Sequence, residues 1–129
     1  MGSTRMVWTL PADAASVPLT RQRVMSVLCA RGWDRDRIDA VVLMTSELAT
    51  NAVTHAATPF TVVVEVADQK LRVDIHDASV EPPVADLAAS PLALGGRGLA
   101  LVAALADRWG YDPDIRGKSV WFETQPGSG

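Results

Sequence analysis

Two periodicities meet at Thr58-Pro59, and their junction constrains the fold of this chain more than any other feature. Upstream, Ile38, Val41, Val42, Thr45, Leu48, Ala49 and Ala52 recur at the three-and-four spacing that lays one apolar stripe along an α-helix. Downstream, Phe60 to Ala67 and Leu71 to Asp77 alternate apolar and polar residues, the period of a strand with one face buried. Pro59 disfavours helical backbone at the residue before it, so the switch falls there. Neither element can cover its own apolar side, and packing the stripe onto the alternating face covers both.

The remaining elements follow from the same reading. Asp34 is placed to cap the striped helix, which is expected to run to about Ala56, and Asp68-Gln69-Lys70 joins the two alternating segments into an antiparallel hairpin. Met6, Trp8 and Leu10 alternate in a first strand that ends at Pro11. Ser16 is the expected cap of a helix with Pro18 in its first turn, Val17, Val24, Val27 and Leu28 on its inner side, and Gly32 at its end. From Ala78 to Gly95 the chain carries Pro82, Pro83 and Pro91 without a clear period, which reads as a long loop. A third helix is expected from near Gly98, with Leu99, Val102, Leu105 and Ala106 inward, followed by strands around Arg108 to Asp112 and Lys118 to Thr124. The expected fold is α+β, a two-layer sandwich with a mixed, mostly antiparallel sheet and three main helices on one face.

At 129 residues the chain has the length of one ordinary domain, and 48% hydrophobic with 21% charged residues is the mix of a packed protein. A net charge of -3 provides no general attraction to phosphate backbones or acidic membranes, which argues against both as partners. Cys29 is the only cysteine and, within Val27-Leu28-Cys29-Ala30, is expected to be small and buried. With no intrachain disulfide possible and no apolar stretch resembling a signal peptide or a membrane span, a cytoplasmic protein is expected.

Glu47, Asn51 and His55 stand four residues apart, and each such step advances only about 40° around a helix, so they form a polar row beside the apolar stripe. The row is equally the solvated face of an amphipathic helix, and His55 equally a local hydrogen-bonding partner. As a site, Asn51 offers the hard amide oxygen that Mg²⁺ accepts alongside phosphate oxygens, with Glu47 one turn away as a base.

Strand parity places Asp77 on the apolar face with Leu71, Val73 and Ile75, where it needs a donor such as an adenine amino group, unless the strand ends one residue early and Asp77 opens a turn. Gly95-Gly96-Arg97-Gly98 precedes the third helix, where glycines let backbone N–H groups approach a phosphate, or simply form a hinge. Arg97 adds a positive charge that is either beside the phosphates or solvated.

Taken in order, Glu47/Asn51/His55, Asp77 closing a strand, the long loop, Gly96-Arg97-Gly98-Leu99-Ala100-Leu101 and Gly117-Lys118-Ser119-Val120-Trp121-Phe122 resemble the GHKL (histidine kinase-like) ATPase superfamily. The resemblance extends from about Met6 to Glu123 and is closest to the stand-alone anti-sigma regulatory factor and serine-protein kinase branch. It implies the Bergerat-type ATP-binding fold as a single domain over residues 1–129, with an ATP lid at about 78–95. It implies ATP and Mg²⁺ as cofactors, with Asn51 on the metal, Glu47 orienting or deprotonating the attacking hydroxyl, and His55 beside them. Asp77 reads adenine with Ser119 as a second contact through water, and Gly96, Arg97, Gly98 and Leu99 line the phosphate side.

The implied activity is phosphorylation of a serine or threonine on an antagonist (anti-anti-sigma) protein, with a sigma factor as the competing partner and a homodimer as a possible assembly. Where the family pattern continues after its aspartate with glycines, this chain reads Asp77-Ala78-Ser79-Val80-Glu81, and Leu94 stands where serine kinases of this branch carry an arginine. Those departures keep a second function open, a nucleotide-gated protein-binding module with little or no kinase activity.

Overall fold

The structure, a computed structural model, describes residues 2–79 and 94–125, with backbone alone for 94–98. The chain runs β1 (Thr4–Leu10), α1 (Ser16–Ala30), α2 (Arg35–Asn51), β2 (Phe60–Ala67), β3 (Lys70–Asp77), α3 (Leu94–Leu105), β4 (Arg108–Asp114) and β5 (Gly117–Thr124). The sheet has five strands in the order β1-β2-β3-β5-β4. All four pairings are antiparallel, a more uniform sheet than the mixed one expected. The helices form the other layer: α2 packs between α1 and α3. The expected lid falls on residues 80–93, outside the described residues.

The stripe and the alternation meet as the sequence requires. Ile38, Val41, Met44, Leu48 and Ala49 of α2 are buried against Phe60, Val62, Val64 and Val66 of β2 and Leu71, Val73 and Ile75 of β3 in one core that also takes Val24, Leu28, Leu99, Val102, Val120 and Phe122. Each such side chain contributes roughly 1.5–3 kcal/mol on leaving water. Asp34 caps α2 as expected, its Oδ1 accepting from Arg37 N at 2.9 Å. Ser16 does not cap α1: its hydroxyl donates to Pro11 O at 2.8 Å, and Asp13 Oδ1 accepts from Ala15 N at 2.9 Å. Cys29 lies on the solvent side of α1 and is exposed, because the inner positions go to Val24 and Leu28. Helix α3 begins at Leu94, earlier than expected, so Gly95 and Gly96 fall in its first turn and Gly98 just beyond it, and it ends at Leu105, which is exposed.

Past Asn51 the helix widens. Residues Ala52–Ala56 form a π turn closed by Ala57 N donating to Ala52 O at 3.0 Å, and Ala57 itself takes the left-handed conformation at φ 54°. Such turns are uncommon and concentrate at functional sites. The segment packs against β3, and Thr58 Oγ1 accepts from Ala78 N at 3.0 Å, tying the end of the helix to the end of that strand.

The β4–β5 turn is set by Asp114, whose Oδ1 accepts from Arg116 N at 2.7 Å. That backbone hydrogen bond, and then His76, hold the Asp114 carboxyl below its ordinary pKa. The turn delivers Gly117 at φ 142° against the end of β3, where a Cβ would run into Asp77 O and come within 2.7 Å of Ala78 Cα. Gly32, at φ 74° after α1, has open space around it. Gly117→Ala should therefore lose at least about 2 kcal/mol in chemical denaturation, and Gly32→Ala about 1 kcal/mol, the price of a left-handed alanine alone. Equal losses at the two positions would contradict the close approach.

Candidate functional site

Of the sequence-predicted groups, Glu47 and Asn51 stand at the C-terminal end of α2 and Asp77 at the end of β3, two ends that the Thr58–Ala78 bond draws together. Asn51 closes α2, and both its amide nitrogen and its amide oxygen are buried without a hydrogen-bond partner among the described residues. Leaving such a group unsatisfied costs about 1–3 kcal/mol, so the position is expensive unless a ligand completes it. Glu47, one turn earlier, is half-buried, and no donor among the described residues engages its carboxylate. His55 is exposed: the π turn after Asn51 takes it off the row that an unbroken α-helix would have continued.

The donor set fits Mg²⁺ as a shared ion rather than a caged one. Among the described residues no three His, Cys, Asp or Glu side chains converge to hold a metal. A single amide oxygen is what Mg²⁺ needs from protein when phosphate and water supply the rest, and Asn51 Oδ1 is such an oxygen, buried and uncommitted.

Strand β3 runs through Asp77, its last residue, which faces the core at 4% exposure and whose side chain also starts the turn out of the strand. The donor it requires comes from the chain itself. Lys118, its register partner on β5, places Nζ 2.9 Å from Asp77 Oδ1, with both side chains almost wholly buried. Ser79 N donates to the same oxygen at 2.9 Å. Lys118 is the residue the sequence reading missed. Its parity signal was present, since it precedes Val120 and Phe122 at even spacing on the apolar face of β5. Ser119 pairs with His76 on the opposite face of the sheet, so the position beside Asp77 belongs to Lys118.

Gly95 and Gly96 lie in the first turn of α3, where backbone N–H groups have no partner within the helix, with Arg97 and Gly98 following them. Leu99, 1% exposed, and Val102 anchor that helix in the core, which makes Leu99 a packing residue that seats the turn.

A separate cleft of about 480 Å³ opens at the other end of the sheet, lined by Arg5, Glu65, Leu71, Arg72, Arg108 and Glu123 among others. It lies six residues along β3 from Asp77, roughly 20 Å at strand spacing. Arg72 and Arg108 both pair with Glu123 there. Burial works against the Arg72 charge, yet bonds to Asp74 at 2.8 Å and Glu123 at 3.1 Å outweigh it and raise its pKa. Arg72 also stacks 4.1 Å from the Trp121 ring, and Trp121 Nε1 donates to Asp112 Oδ2 at 3.0 Å.

Comparison with known proteins agrees with this geometry. Residues 10–124 match the model of the histidine kinase-like ATPase domain, and the chain belongs to that family. Its fold is similar to a solved structure of the RsbU and RsbW domains of Rv1364c from Mycobacterium tuberculosis, with a TM-score of 0.74 at 20% identity. That match covers 95% of this chain and 32% of the other, so the chain spans about a third of that protein. No curated protein matches the chain significantly.

The buried pair yields a direct test. Removing one partner strands a buried charge and costs about 3–5 kcal/mol, whereas replacing both with apolar groups is far cheaper. Lys118→Met should lose that much stability in urea titrations, and the double variant Asp77→Leu with Lys118→Met should recover most of it. Additive losses in the double variant would mean that the two groups do not interact.

Proposed function

We propose that this chain is a Mg²⁺-ATP-binding cytoplasmic regulator of the anti-sigma type that phosphorylates a serine or threonine on an antagonist protein and controls transcription through protein–protein binding. The observation that carries the reading is the Asn51 carboxamide, buried and partnerless at the end of a helix in a histidine kinase-like ATPase domain. In that role Asn51 Oδ1 holds the ion, which supplies charge neutralisation on the phosphates. In the same reading Gly96, Arg97 and Gly98 lie on the phosphate side, with the first-turn N–H group of Gly96 as a donor and Gly98 leaving room for close approach.

Glu47, half-buried one turn before Asn51 and uncommitted, accepts the proton of the attacking hydroxyl. Positioning and electrostatics carry most of phosphoryl transfer, so the residues contribute chiefly by where they hold charge. His55, on the exposed π turn, serves at the rim. The partners in this reading are the antagonist protein and a sigma factor, as the order of the sequence motifs implies.

A second reading, a nucleotide-gated binding module without transfer, is favoured by one specific observation: Asp77 already has an ammonium partner, so nucleotide and ion pair are energetically coupled. Two variants separate the readings. Asn51→Ala should weaken Mg²⁺-ATP binding by about tenfold, the value of one bond to a charged group, and remove its dependence on Mg²⁺ in calorimetry. Glu47→Gln should leave that affinity intact while lowering γ-phosphoryl transfer to an antagonist protein by about 10²–10⁴-fold. Wild-type protein that binds Mg²⁺-ATP but transfers no label would leave the gated module as the function. Failure of Asn51→Ala to alter binding would remove the proposed metal role.

A further inference from the structure

The Asp77–Lys118 pair is incompletely spent. Lys118 Nζ carries three N–H groups and has one acceptor among the described residues, Asp77 Oδ1. That oxygen also takes Ser79 N, while Asp77 Oδ2 accepts from no group among them. One spare carboxylate oxygen thus sits beside two spare ammonium donors in a place nearly closed to water. Buried polar groups are normally satisfied, so an edge with both a donor and an acceptor to offer calls for a ligand with the complementary pattern.

The Watson–Crick edge of adenine has that pattern, an amino donor at N6 next to the ring acceptor N1. We propose that Lys118 is a second base-reading residue, donating to adenine N1 while Asp77 Oδ2 accepts from N6. The inference rests on the reading above that a nucleotide occupies this domain with its base against Asp77.

Energetics decide whether the ion pair survives binding. Displacing Lys118 would leave a buried charge unpaired, at several kcal/mol, while the bond from a neutral amine to a carboxylate returns about 1.5–3 kcal/mol. The pair therefore stays closed, and the base adds to it. Backbone geometry holds the edge in place: Lys118 follows Gly117, whose contact with the end of β3 leaves no room for a side chain, and its register partner across the ladder is Asp77. Lys118 is a specificity residue in this scheme and takes no part in phosphoryl transfer.

The experiment compares calorimetric binding of ATP and 1-deaza-ATP, in which N1 is replaced by C–H, to the wild-type protein in Mg²⁺. The analogue keeps the N6 amine and loses only the acceptor assigned to Lys118, so it should bind about tenfold more weakly, the worth of one charge-assisted bond. Lys118→Met, where it folds, should bind the two nucleotides equally. Equal binding by the wild-type protein overturns the role of Lys118 without recourse to a variant, and so does discrimination that persists in Lys118→Met. If the wild-type protein binds ATP and ignores the N1 change, only this inference falls; if it binds neither nucleotide, the base-site reading falls with it.

Discussion

At the end of β3 a carboxylate and an ammonium meet at 2.9 Å with almost no access to water, and the arrangement of the neighbouring elements answers to that contact. Either charge alone would cost several kcal/mol in such a place, as much as two core valines contribute. The pair can exist only because β3 and β5 are in the register that sets Asp77 opposite Lys118, and that register depends on Gly117. A residue with a side chain at Gly117 would push β5 off the backbone of Asp77 and Ala78. One glycine, one carboxylate and one lysine thus fix how the last strand meets the strand that ends in the site.

The helical side meets this end of the sheet through a second constraint. The π turn over Ala52–Ala56 inserts extra backbone between Asn51 and β2, and Thr58 then bonds to Ala78 immediately after Asp77. The consequence is a division of the polar row. Asn51 is drawn inward, with its carboxamide enclosed, while His55 turns out to solvent. A straight helix would have kept the three side chains in line and at similar depth. The widened turn makes the difference between an amide that is uncommitted inside the protein and an imidazole at its rim.

Much of the fold was legible because its signals are local and periodic. The stripe of α2, the cap at Asp34 and the alternation of β2 and β3 depend on spacing alone, and the placement of Asp77 on the apolar face followed from parity. What escaped was set by contacts distant in sequence. Ser16 looks like a cap by type, but the chain folds its hydroxyl back onto Pro11, and Asp13 serves the N-terminal backbone instead. Cys29 looks buried by neighbourhood, yet the helical phase gives the inner positions to Val24 and Leu28. Lys118 was missed because a lysine at the start of a strand ordinarily reaches solvent, and only the register with β3 sets it opposite Asp77.

The same pair bears on why nucleotide binding and phosphoryl transfer need not go together in this domain. In the proposed reading, a base that adds to the closed ion pair meets an edge already set by folding, so its binding would not require Asp77 to reorganise. Transfer asks for more, since charge on the moving phosphoryl group must be met by cations and N–H groups held in place before the reaction. The Lys118 ammonium lies at the sheet end, and its charge is cancelled by Asp77. In the proposed reading, neutralisation at the phosphates would therefore fall to the ion on Asn51 and to the first turn of α3, so activity would be decided at the helix end rather than the sheet end.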